Sequence, residues 1–126
     1  MTTAAEIVTA AKSTIDNLDV EQTAAEIADG ALLIDLREHP ERVDHGTIPG
    51  SLHVPRGLLE FAADPTHPLH VADLQPDRRT ILYCAGGSRS ALGVVTLHEL
   101  GYRNVAHLDG GIQAWSAAGR PTNDQP

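Results

Sequence analysis

Only one cysteine, Cys84, occurs in this chain. An internal disulfide is therefore excluded, and the fold does not depend on an oxidising compartment. Basic residues are scarce as well: 9 Lys and Arg stand against 17 Asp and Glu, a formal net charge of −8. That balance argues against a general role on nucleic acid or on an anionic membrane surface. It also requires that an anionic substrate find a locally positive pocket on an acidic protein. No apolar run approaches the length of a membrane span. Met1-Thr2-Thr3-Ala4-Ala5-Glu6 lacks a basic start followed by an apolar stretch, so no secretory signal is expected, and the expected location is cytoplasmic. Internal repeats and low-complexity segments are absent. The 7 histidines show no paired-ligand spacing. His67 and His70 share a proline-containing loop with no acidic partner in a motif, so neither a metal nor a cofactor is expected.

What is present is ordinary for one globular domain. The chain has 126 residues, 41% hydrophobic and 21% charged, enough for one core. Thr3 to Glu6 has capping-box spacing, and Ile7, Val8, Ala11, Ile15 and Leu18 share a helical face, which predicts an amphipathic helix from residue 3 to about 17. A second helix, capped at Asp19, runs to Asp29 and stops at Gly30. Ala31–Asp35, Thr80–Tyr83 and Asn104–Leu108 are short apolar blocks, the pattern of strands buried on both faces. Pro40, Gly46, Pro49, Gly50 and Pro55 punctuate loops around a brief strand at Leu52–Val54, and Gly57–Ala63 reads as a short helix. Further helices are predicted from Ser88 to Leu100 and through Ile112 and Trp115 to Gly119. Alternating strands and helices imply an α/β fold with a parallel sheet covered by helices on both faces. The division expected is an N-terminal helical extension over 1–19, the α/β domain over 20–121 and a polar tail over 122–126.

In such sheets ligands bind beyond the carboxyl ends of the strands. Asp35, Cys84 and Asp109 fall at those ends. Cys84 is followed by Ala85-Gly86-Gly87-Ser88-Arg89-Ser90 at a helix start. Glycines let backbone N–H groups turn inward, and the helix points its positive end at the sulfur. Both features favour a thiolate nucleophile, one that attacks sulfur or phosphorus centres bearing oxyanions. The alternative is a small buried hydrophobe, the usual fate of a free cysteine. The Gly-Gly-Ser-Arg neighbourhood favours the nucleophile.

The segment Cys84-Ala85-Gly86-Gly87-Ser88-Arg89-Ser90 resembles the active-site loop of rhodanese-like sulfurtransferases. Leu33-Ile34-Asp35-Leu36-Arg37-Glu38 resembles the family's first core strand with its Asp-x-Arg. Gly46-Thr47-Ile48-Pro49-Gly50-Ser51 resembles its Gly-His-Ile-Pro-Gly-Ala segment, and Leu108-Asp109-Gly110-Gly111-Ile112 with Trp115, Gly119 and Pro121 its closing element. The motifs stand in the family's order over Val20 to Pro121. The resemblance implies a double displacement: Cys84 takes the outer sulfur of thiosulfate or a persulfide donor, and cyanide or a thiol removes it. It implies a persulfide cradled by N–H groups from Ala85 to Ser90, with Arg89 holding the loop and adding positive charge. Arginine follows cysteine by 5 residues, against 6 in the family's phosphatase and arsenate-reductase relatives, where Ser90 stands here. Sulfur transfer therefore ranks above phosphate hydrolysis. Thr47 replaces the family's histidine, and the loop carries one arginine and no lysine, so the donor is left open.

Around this loop, Asp35 is read as a structural acceptor rather than a base, since a carboxylate beside a thiolate opposes its ionisation. Arg37 either binds a donor anion or pairs with Glu38 or Asp35. Asp109 is read as a turn or cap residue and Trp115 as core. The first helix either docks on its own domain or pairs with a second copy, leaving monomer and homodimer both open. A persulfide carrier serving a sulfur-relay protein is the alternative to an enzyme.

Overall fold

The computed structural model describes residues 1–124; Gln125 and Pro126, the end of the expected tail, lie outside the described residues. Five parallel strands form one sheet in the order β1-β5-β4-β2-β3. They are β1 (Asp16–Leu18), β2 (Leu32–Asp35), β3 (Leu52–His53), β4 (Thr80–Tyr83) and β5 (Val105–Leu108). Every residue of β2, β4 and β5 is buried, as continuous apolar runs require when both sheet faces are covered.

The helices are α1 (Ala4–Lys12), α2 (Val20–Ala28), α3 (His39–His45), α4 (Leu59–Ala63), α5 (Ser88–Glu99) and α6 (Gly111–Ala117), with a 3₁₀ turn at Arg56–Leu58. One face of the sheet packs Ile34 and Leu82 against Leu59 and Ala62 of α4 and Val94 and Leu97 of α5. The other packs Leu33, Ile81 and Leu108 against Ala24 and Ile27 of α2 and Ile112 and Trp115 of α6. This α/β architecture, with an added N-terminal helix, is the one the strand pattern implied. Among the described residues no helix is long and apolar enough to cross a membrane.

Three local expectations change. The first helix ends at Lys12, and Asp16–Leu18 joins the sheet beside β5 rather than extending the helix. The segment around Pro40 is a helix, not a loop: Pro40 sits in the first turn of α3, where its missing N–H costs nothing. The start of the expected tail is paired, since Thr47 and Asn123 exchange backbone hydrogen bonds at 2.8 Å each. The first helix docks on its own domain. Ala11 is buried, Ile15 joins the α5-side core, and Lys12 reaches Asp109 at 2.8 Å.

Candidate functional site

Cys84 follows β4 directly and is 1% exposed. Its Sγ accepts a hydrogen bond from the Gly87 N–H at 3.2 Å. Gly87 caps the 12-residue α5 at φ +109°, a backbone conformation that favours glycine. The positive end of that helix faces the sulfur. The loop is braced from behind by α6: Ile112 N–H donates to the Cys84 carbonyl at 3.0 Å and Gln113 N–H to the Ala85 carbonyl at 3.1 Å. Gly111 has φ +61°, and a Cβ there would overlap both carbonyl groups. The Asp109-Gly110-Gly111 turn thus does more than begin a helix; it allows α6 to grip the cysteine loop.

Arg89, inside the first turn of α5, makes a two-pronged ion pair with Glu41, 2.8 Å at each contact. The Arg89 bond drives the Glu41 carboxyl down to about 2, and burial opposes this less strongly. Glu41 is held for this task by the start of α3, where it also accepts from the Glu38 N–H at 2.8 Å. Glu41 chiefly, and Cys84 to a lesser degree, favour the charged form of Arg89.

Asp35 ends β2 and is fully buried. Its carboxylate accepts from Arg37 Nε at 3.0 Å, Arg37 Nη2 at 2.9 Å, Arg42 Nη1 at 2.8 Å and the Tyr83 hydroxyl at 3.0 Å. Burial alone would raise its pKa, but the Arg37 bonds, with help from Arg42, hold the carboxyl below the usual range. Arg37 in turn donates to the Gly46 carbonyl at 2.7 Å, and the Tyr83 hydroxyl accepts from Ile48 N–H at 3.2 Å. Asp35 therefore ties the Asp-x-Arg segment, the Gly46–Ser51 loop and β4 into one unit. Arg37 also lines a cleft of about 380 Å³ with Glu41, His45, Ala85 and Gln113, but its guanidinium is buried and bonded to Asp35, which is the pairing alternative of the two expected.

The comparisons bear on what such a loop belongs to. Residues 19–118 match the rhodanese-like domain model. The chain belongs to the rhodanese-like family. A sulfurtransferase of Allochromatium vinosum is 32% identical over 109 residues, covering 85% of this chain and 94% of that protein. The Mycobacterium tuberculosis probable adenylyltransferase/sulfurtransferase MoeZ is 34% identical over 71% of this chain, which spans only 21% of MoeZ. Among solved structures, a Rhodopseudomonas palustris protein of unknown function, a possible tyrosine phosphatase, superposes with TM-score 0.92 at 36% identity, covering 98% of this chain and 96% of that one.

Within this rhodanese-like frame Asp35, Cys84 and Asp109 share the carboxyl edge of the sheet, though in different roles. Asp109 pairs with Lys12, whose hydrogen bond lowers its pKa, and Asp35 bonds Arg37, Arg42 and Tyr83. The Ser90 Oγ lies 3.6 Å from the Cys84 Sγ, placed to accept its S–H. Ser88 and Arg89 open α5, Gly87 caps it, and Ala85 and Gly86 span the gap after β4. Sequence reasoning missed Glu41, Arg42 and His107. Glu41 lay in a segment read as loop; its position three residues after Glu38, the spacing of a helix start, was the available signal.

Proposed function

We propose that the chain moves sulfane sulfur through a persulfide on Cys84. The Cys84 thiolate attacks the outer sulfur of the donor; a Cys–S–S bond forms, and with thiosulfate as donor sulfite departs with the electron pair. Cyanide or a thiolate then attacks the outer sulfur, and Cys84 leaves as the thiolate. The carrying observation is the Gly87 N–H at 3.2 Å from Sγ at the head of α5, in a loop whose carbonyls are turned back onto α6. That arrangement leaves hydrogen-bond donors and the helix end to meet negative charge on sulfur. Asp35 and Arg37 would support the loop from outside it.

The charges around the site bear on the donor. Arg89 is matched by Glu41, and Arg37 and Arg42 share Asp35. Each guanidinium beside the loop is thus already engaged by a carboxylate, which reduces the attraction a free dianion would feel. This favours sulfane sulfur handed over by a persulfide, on a small thiol or on a partner protein, above a free dianion, the carrier reading of the same chemistry. Phosphate-ester hydrolysis is the competing class, given the possible phosphatase with the same fold. The tight spacing of Cys84 and Arg89 speaks for sulfur.

The test is thiocyanate formation from cyanide with thiosulfate and with a small-molecule persulfide, run beside p-nitrophenyl phosphate hydrolysis. Sulfur transfer that disappears in Cys84→Ser, with no ester hydrolysis, supports the proposal. Cys84-dependent ester hydrolysis without sulfur transfer overturns it.

A further inference from the structure

The cysteine is wired to the N-terminal edge strand through side chains alone. Ser90 Oγ, 3.6 Å from Cys84 Sγ, is also 2.8 Å from His107 Nδ1. His107 Nε2 is 2.7 Å from Asn17 Oδ1, its register neighbour across the β1–β5 pairing. Asn17 Nδ2 points the other way, donating to the Lys12 carbonyl at 2.9 Å and the Ile15 carbonyl at 3.3 Å.

Those bonds assign the protons along the relay. With its nitrogen committed to two carbonyls, Asn17 offers only its oxygen, so His107 carries hydrogen on Nε2. His107 is fully buried, and burial lowers its pKa to about 4, so the ring is neutral near pH 7 and Nδ1 is a bare acceptor. Ser90 has one hydroxyl hydrogen and gives it to His107, its Gly87 carbonyl contact being longer at 3.3 Å. What faces Cys84 is then a lone pair, which accepts S–H but repels a sulfur anion.

We infer that His107, oriented by Asn17, controls the ionisation of Cys84 through the Ser90 hydroxyl, holding the thiol form until that hydroxyl swings to sulfur. His107 is a positioning residue: it touches neither donor nor acceptor. The inference rests on Cys84 being the nucleophile. When Cys84 loses its proton to solvent, Ser90 serves the thiolate only by turning its hydrogen away from His107, leaving Nδ1 unpaired in a buried site. The charged groups around His107 are themselves balanced. Asp109 is paired with Lys12 and Asp16 with Arg79, and Arg89 on the sulfur side is paired with Glu41. Against that balanced background, the direction of the Ser90 hydrogen bond acts on the sulfur alongside the Gly87 N–H and the helix end.

The single cysteine makes the test direct: thiolate absorbance in the ultraviolet, titrated against pH on the full chain, with Cys84→Ser as the blank. His107→Leu releases the Ser90 hydrogen, so the midpoint should fall by about one pH unit, about tenfold more thiolate at a given pH below it. In a Ser90→Ala background the same substitution should move nothing. Asn17→Asp, at an exposed position, supplies a second route should His107→Leu not fold. Its carboxylate lets the ring keep protons on both nitrogens, Nδ1–H then donates to Ser90, and the midpoint again falls. An unchanged or raised midpoint in His107→Leu or Asn17→Asp, or an equal fall without Ser90, overturns the inference. The readout needs no sulfur transfer, so a failure of the proposed activity and a failure of this linkage are separately visible.

Discussion

Glu41 decides how much positive charge the loop presents. It grips the one arginine of the loop with both carboxylate oxygens, and so subtracts the attraction a small dianion would feel. Glu41→Gln keeps an oxygen for Arg89 but removes the negative charge. KM for thiosulfate is expected to fall several-fold, with a smaller change for an uncharged persulfide donor; a KM that stays or rises would show that Glu41 acts only as a clamp. Cys84, Asp35, Arg37 and Arg89 were visible in the sequence because each sits in a short motif. Glu41 and His107 were not, because their partners lie 48 and 17 residues away. Only the stacking of α3 on the loop, and of β5 beside α5, brings them there.

At the scale of elements, the site depends on α6 gripping the loop after β4. Gly111→Ala adds a methyl where the Cys84 and Ala85 carbonyls stand, at a φ that also disfavours it. A loss of more than about 2 kcal/mol in stability is expected, together with loss of sulfur transfer. Chemical denaturation and thiocyanate formation measure the two, and an active, fully stable variant would contradict the brace. α2 carries the opposite case: Thr23 is fully buried, and its hydroxyl has no hydrogen-bond partner among the described residues. Thr23→Val should raise stability by about 1 kcal/mol in urea titration, and a loss would reveal a bond to that hydroxyl. The elements most legible in the sequence were those with a single strong cue. β2, β4 and β5 are unbroken apolar runs, and α2 opens on an Asp19 capping box. β1 was hidden because Ile15 and Leu18 also continue the helical spacing of α1, so only sheet pairing separates the readings. α3 was hidden because Pro40 was weighed as a breaker rather than as a first-turn residue.

For the whole molecule, the same buried histidine ties stability to pH. Unfolded, His107 titrates near the ordinary 6.5; folded, at about 4. The unfolded chain therefore binds the extra proton between those values, and stability falls as pH drops from about 6.5 towards 4, by roughly 3 kcal/mol in all. Asp35 and Glu41 have lowered values and act at more acid pH, their contribution vanishing as the carboxylates protonate. Urea unfolding across this range should show the decline in the native chain and a much shallower one in His107→Leu; equal slopes would place the effect elsewhere. The N-terminal segment is tied into the rest of the molecule, since β1 delivers Asn17 to His107 and α1 delivers Lys12 to Asp109.

All three scales converge on one sulfur atom. The most direct measurement is the intact mass of the chain after exposure to thiosulfate or a small-molecule persulfide, and again after cyanide, with Cys84→Ser alongside. The account predicts a gain of one sulfur atom on the native chain alone, removed by cyanide as thiocyanate. No gain from either donor, or an equal gain in Cys84→Ser, would contradict it.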